Sequence, residues 1–84
     1  METESPKLGR VLFFERNSLG TFDCIGTSSV LPFGVALDVY ANTPNPASQL
    51  VEGSDVQEII SESNKMVSNM KDPDYVEEHV DPYL

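Results

Sequence analysis

LGRVLFFERNSLGTFDCI, residues 8–25, decides the fold. Val11-Leu12-Phe13-Phe14 forms an apolar centre flanked by Arg10, Glu15 and Arg16, and its β-branched and aromatic side chains favour a strand. Asn17-Ser18-Leu19-Gly20 then supplies turn chemistry, with Gly20 able to take a positive φ, and Thr21 to Ile25 returns as a second strand. The stretch therefore predicts a β-hairpin around which the rest of the chain must pack.

Beyond it, Gly26 to Ser29 reads as a loop, and Pro32 demotes Val30-Leu31 to an edge or irregular segment. From Phe33 to Ala41, Val35, Leu37 and Val39 alternate with Ala36, Asp38 and Tyr40, which predicts a third strand with one wetter face. Asn42 to Ser48, with Pro44 and Pro46, is a connecting loop. A helix over Ser54 to Lys71 follows: Ser54 is placed as N-cap with Gln57 three residues on, and Asp55 and Glu58 put negative charge in the first turn. Its stripe of Val56, Ile59, Ile60, Ser63, Val67 and Met70 faces the sheet. Asp72-Pro73 opens a further helix of about two turns, with Val76/Val80 and Tyr75/His79 as i, i+4 pairs.

The expected fold class is thus α+β: a small three-stranded antiparallel β-meander packed by one C-terminal amphipathic helix plus a short terminal helix. Residues 1–7 form a polar arm, 8–71 a single domain and 72–84 an acidic-aromatic docking tail. One domain of 84 residues has a thin core and gains from a partner. An internal disulfide is excluded, because Cys24 is the lone cysteine; it shares a strand face with Phe22 and reads as a small buried hydrophobe.

Charge is uneven. Residues 1–51 hold five acids and three bases, −2, whereas residues 52–84 hold nine acids and two bases, −7, for the total of −9. That balance opposes nucleic acid and anionic membranes, and its complement is a protein with a basic patch. A secretory signal, a membrane span and an N-glycosylation acceptor are not recognisable, so the expectation is an intracellular, soluble chain, compatible with incorporation in an assembled particle.

Signals for chemistry are weak. Neither a nucleophile elbow, a dinucleotide fingerprint nor a phosphate loop occurs, and Cys24 and His79 lie in segments of different type. The tail's carboxylates fail the calcium-loop pattern, since counting from Asp72 the sixth position is Glu77 and the twelfth Tyr83. No enzyme, cofactor or metal is therefore expected.

Two features suggest binding. In the tail, Tyr75, Val76, Val80, Tyr83 and Leu84 can anchor on a partner while Glu77, Glu78 and Asp81 steer toward lysine or arginine. Closure of the chain's own core by this segment is an equal alternative. The hairpin also offers apolar side chains on both faces, and the spare one suggests a subunit contact, a second copy of the chain included; cover by Val30-Leu31 and the tail is an equal alternative. These features give a non-enzymatic subunit that docks into a larger assembly, such as an accessory protein of a virus particle or multiprotein complex, with Phe33–Ala41 as an edge strand. The alternative is an acidic inhibitor that mimics nucleic acid through Glu52, Asp55, Glu58, Glu62 and the tail, although Lys65 and Lys71 interrupt that row.

Overall fold

The computed structural model describes residues 7–80. The chain is α+β, running β1 (Leu8–Arg16), β2 (Phe22–Thr27), β3 (Leu31–Pro32), α1 (Phe33–Asn42), β4 (Gln49–Gly53), α2 (Val56–Met70) and α3 (Pro73–His79). All strand pairs are antiparallel, and β1 is the centre of the sheet. Leu12 pairs with Thr27 of β2 and Gln49 of β4; Gly9 pairs with Leu31 of β3 and Glu52 of β4. A strand residue has two hydrogen-bonding edges, so β2 and β3 share one edge of β1 and β4 takes the other.

The predicted hairpin is present, and its turn satisfies itself. Gly20 N–H donates to Asn17 O at 3.1 Å, Asn17 N–H to Thr21 O at 2.8 Å, and Gly20 takes φ +84°. Asn17 Oδ1 accepts from the backbone N–H groups of Leu19 and Thr21 at 2.9 and 3.1 Å. Further along, Phe14 pairs with Cys24 but Phe13 with Gly26, leaving Ile25 as an extra residue in a bulge that turns it to solvent.

Phe33–Ala41 is not the third strand that its alternation predicts; it belongs to α1, and Gln49–Gly53 supplies the remaining long strand. The sequential meander gives way to a sheet with its first strand in the middle. The reason is topological. β3 and β4 both run antiparallel to β1 and so are parallel to each other, and joining parallel strands takes a crossover of a dozen or more residues, usually a helix. Local chemistry permits it: Pro32 ends β3 with φ −54°, and Phe33 N–H, an orphan donor of the first turn, donates to Lys7 O at 2.9 Å. Thr43, extended ahead of Pro44, stops the helix.

The alternation along β1 separates two layers. Leu12 and Phe14 join Phe22, Val51, Ile59, Met70 and Val76 in the main core, under α2 and α3. Gly9 and Val11 face the other way, where Ala36 of α1 lies so close that a Cβ on Gly9 would stand 2.8 Å from the Cβ of Ala36. Val11 and Ala36 are fully buried, and α1 shares no contact with α2. The sheet is thus sandwiched: α1 on one face, α2 and α3 on the other.

The cap of α2 sits one residue later than Ser54. Asp55 is the N-cap, its carboxylate accepting from Glu58 N–H at 2.8 Å, while Glu58 Oε1 reaches back to Ser54 N–H and Oγ–H, each at 2.8 Å. Gly53 leaves the room for that return, since a Cβ there would lie 3.0 Å from Glu58 Cγ. Of the predicted stripe, Ile59, Ser63 and Met70 are buried, Val67 is half-buried, and Val56 and Ile60 remain exposed. Ser63 Oγ–H is satisfied by Ile59 O at 2.7 Å.

Candidate functional site

The acidic-aromatic segment begins as the sequence predicts. Asp72 caps α3 by accepting from Asp74 N–H at 3.0 Å, and Pro73 takes the first turn. Val76, only 9% exposed, belongs to the chain's own core, and Tyr75 and Val80 pack against that core. His79 stacks on Tyr75 with ring centroids 4.3 Å apart, its Nδ1 3.1 Å from Tyr75 O. Glu77 and Glu78 face solvent. The described part of the tail therefore packs against the chain's own core; Asp81, Tyr83 and Leu84 lie outside the described residues. Between α3 and the hairpin tip is a cleft of about 250 Å³, walled by Arg16, Leu19, Pro73, Val76, Glu77 and Val80. Arg16 lies over the Phe22 ring at 4.9 Å.

The second surface is one the strand reading hid. α1, FGVALDVYAN, is apolar on nearly every side, with Asp38 as its one charged residue. Such a helix is normally buried all round. Here only Ala36 is buried, and Val35, Leu37 and Tyr40 are 47, 43 and 38% exposed. Phe33, Leu37 and Tyr40 follow the i, i+4, i+7 spacing of one ridge, while Val35 lies on the opposite flank. The 3.6-residue spacing of Phe33, Ala36, Leu37 and Tyr40 is a helix signal present in the sequence, and Val35 and Val39, off that stripe, supply the competing alternation.

The acids divide by what they touch. Glu52 pairs with Lys7, whose Nζ also lies 4.4 Å from the Phe33 ring centroid. Glu62 meets Lys65 at 3.3 Å on an exposed turn of α2. Hydrogen bonds from Ser54, first its backbone N–H and then its hydroxyl, hold the Glu58 carboxyl below the ordinary carboxylate value. Cys24 is a free, half-buried thiol against the main core, its Sγ 3.5 Å from Gly26 O, whereas His79 is exposed on α3. Among the described residues no three His, Cys, Asp or Glu side chains gather as a metal site would require, and no helix is long and apolar enough to cross a membrane.

The geometry thus offers two outward surfaces, one on α1 that is apolar apart from the exposed Asp38 and Asn42 and an acidic one on α2 and α3, on opposite sides of one sheet. No protein-family model, curated protein or solved structure matches the chain.

Proposed function

We propose that this protein is a non-enzymatic interaction subunit that works by docking to other protein surfaces within a larger assembly. The observation that carries the reading is α1, an all-round apolar helix that buries only Ala36 and leaves Leu37, Tyr40 and Val35 in contact with water. Exposed apolar surface of this kind marks protein contacts when it gathers on one element, and a small domain gains stability by covering it. The acidic surface of Glu77 and Glu78 adds steering toward a basic partner rather than the anchor itself.

Mimicry of nucleic acid has one observation in its favour, the grouping of acids on α2 and α3. It is the weaker reading, because Glu52, Glu58 and Glu62 are engaged with Lys7, Ser54 and Lys65 inside the chain.

The test is affinity purification from the native source in three forms: the full chain, Leu37→Glu, and Glu77→Gln with Glu78→Gln. A stoichiometric protein partner lost with Leu37→Glu supports docking through α1. Loss only with the paired glutamines, of a basic nucleic-acid-binding protein, favours the mimic. Turnover of a substrate by the purified chain would overturn both.

A further inference from the structure

We infer that the half of the sheet face beside α1, over β2 and the end of β1, receives a basic amphipathic helix of a partner protein. The inference rests on reading the protein as an interaction subunit and names the chemistry of its partner. The alternation that sends Leu12 and Phe14 into the main core turns Phe13 and Glu15 to the α1 side, and the register sets Gly26 against Phe13 and Asp23 against Glu15 on that same side. A Cβ on Gly26 would accordingly lie 3.9 Å from Phe13 Cδ2. Helix α1 touches β1, β3 and β4 but not β2. This half of the face therefore has no helix over it: Ile25, two places after Asp23, is 59% exposed, Phe13 is half-buried, and Glu15 and Asp23 face solvent.

Charge selects the occupant. Glu15 and Asp23 are direct cross-strand partners, and like charges so placed are destabilising. The ion pairs among the described residues, Lys7 with Glu52 and Lys65 with Glu62, include neither of them. A lysine or arginine brought from outside would turn that repulsion into attraction, next to the apolar anchor of Phe13 and Ile25. A second copy does not supply it, since α1, α2 and α3 together hold six carboxylates and one lysine. Geometry selects a helix. A sheet face and a helix flank present side chains and no free backbone groups, so the occupant must satisfy its own peptide groups; an extended segment would find backbone partners only at the outer edge of β2. Packed helices stand roughly 8–10 Å apart and strands about 4.8 Å, so a helix beside α1, which lies on β1 and β4, is set over β2 and its outer edge. The six residues of β2 span about 20 Å, the length of a helix of about 13 residues. A contact of that size falls short of the roughly 800 Å² per partner of a standard interface, so the complex is weak and reversible.

Fluorescence anisotropy of the full chain with two labelled helical peptides, a leucine stripe flanked by lysines and the same stripe flanked by glutamates, tests this. The lysine peptide should bind with a Kd between about 1 μM and 1 mM, weakened at least about fivefold between about 50 and 500 mM salt, and the glutamate peptide should not bind. Ile25→Ser, and Glu15→Gln with Asp23→Asn, should each weaken binding at least about fivefold, and Glu77→Gln with Glu78→Gln less than about twofold. The Glu15 and Asp23 pair of substitutions should at the same time raise the urea midpoint of the free chain, because it relieves the cross-strand repulsion. Far-UV circular dichroism checks that the variants fold, and Ile25→Thr replaces Ile25→Ser if that one does not. Equal binding of the two peptides, binding lost only with the Glu77 and Glu78 substitutions, or a midpoint lowered by the Glu15 and Asp23 pair overturns the inference. A dimer of the chain alone that Ile25→Ser breaks places a second copy on this face and overturns it too. If no peptide binds at about 1 mM while a native partner is retained by the full chain and lost with Leu37→Glu, the basic helix is overturned and the subunit reading stands.

Discussion

Gly9→Ala tests the placement of α1 on the sheet. In an open strand the change would help, because alanine loses less backbone freedom on folding than glycine, a gain of about 0.5–1 kcal/mol. Here the added methyl would stand 2.8 Å from the Cβ of Ala36 and 3.4 Å from Phe33 Cδ1, with Val51 O at 3.5 Å. The nearest of these cannot swing aside, since a Cβ has no torsion of its own and moves only with the helix. Overpacking of this kind costs about 1–3 kcal/mol, so the net effect should be a loss of about 0.5–2 kcal/mol. With a urea dependence of about 1 kcal/mol/M for a chain this small, the unfolding midpoint falls by about 0.5–2 M at unchanged slope. Ala36→Gly alone should also destabilise, by about 2 kcal/mol, through a lost buried methyl and a glycine in a helix. Combined with Gly9→Ala it should restore about 1–3 kcal/mol relative to additivity, because the two methyls exclude each other. A midpoint raised by Gly9→Ala, or strict additivity of the pair, would mean that no helix lies over Gly9, and the layered arrangement would have to be abandoned.

Other expectations follow from single contacts. Val76→Ala removes two buried carbons and should cost about 1.5 kcal/mol, with faster proteolysis beyond Lys71, because α3 is seven residues long and is held by its packing. Equal proteolysis rates would show that the segment is not docked in cis. Asn17→Ala leaves the N–H groups of Leu19 and Thr21 without their acceptor and should cost about 1–2 kcal/mol; Gly20→Ala, at φ +84°, should cost about 1 kcal/mol, and urea melts would measure both. Glu58 has its folded-state pKa lowered, so its contribution to stability is present above the ordinary value of 4.5 and is lost as pH falls through the lower folded value. In Ser54→Ala the backbone N–H, the larger cause, remains; an NMR titration should then find the Glu58 pKa still depressed but closer to ordinary, and a full return would assign the effect to the hydroxyl instead.

How much was legible in the sequence depended on whether the deciding contact was local. The 17–20 turn could be read because Asn17 and Gly20 carry their own hydrogen-bond partners and conformation within five residues. The α2 cap was displaced by one position because Ser54 and Asp55 are both good caps, and the choice fell to Glu58, which needs the space beside Gly53 to fold back. Helix α3 is legible as a helix from Asp72-Pro73, but the burial of Val76 depends on a core whose other members, Phe14 and Phe22 among them, lie far away in sequence. Strand β4 has no pattern of its own in the sequence and α1 has a strand-like alternation, for one shared cause. Both are fixed by β1 taking partners on each of its edges, and the alternation of Val35, Leu37 and Val39 records nothing of that.

That conflict bears on function. Where local and global preferences agree, as at Asn17-Ser18-Leu19-Gly20, a sequence specifies one conformation with little left over. In α1 they disagree: strand-like alternation is wound into a helix, and alternation wound at 100° per residue scatters apolar side chains around the axis instead of aligning them. A helix required only to cross the sheet would need an apolar face toward Gly9 and Val11 and could carry lysine or glutamate elsewhere, as α2 does with Glu58, Glu62 and Lys65 away from its buried stripe. The crossover thus accounts for Ala36 and not for Leu37 and Tyr40. Departures from local rules with no gain inside the fold are where a functional constraint is expected. A contact made outside the chain, as the proposed subunit role requires, is the term that would balance them.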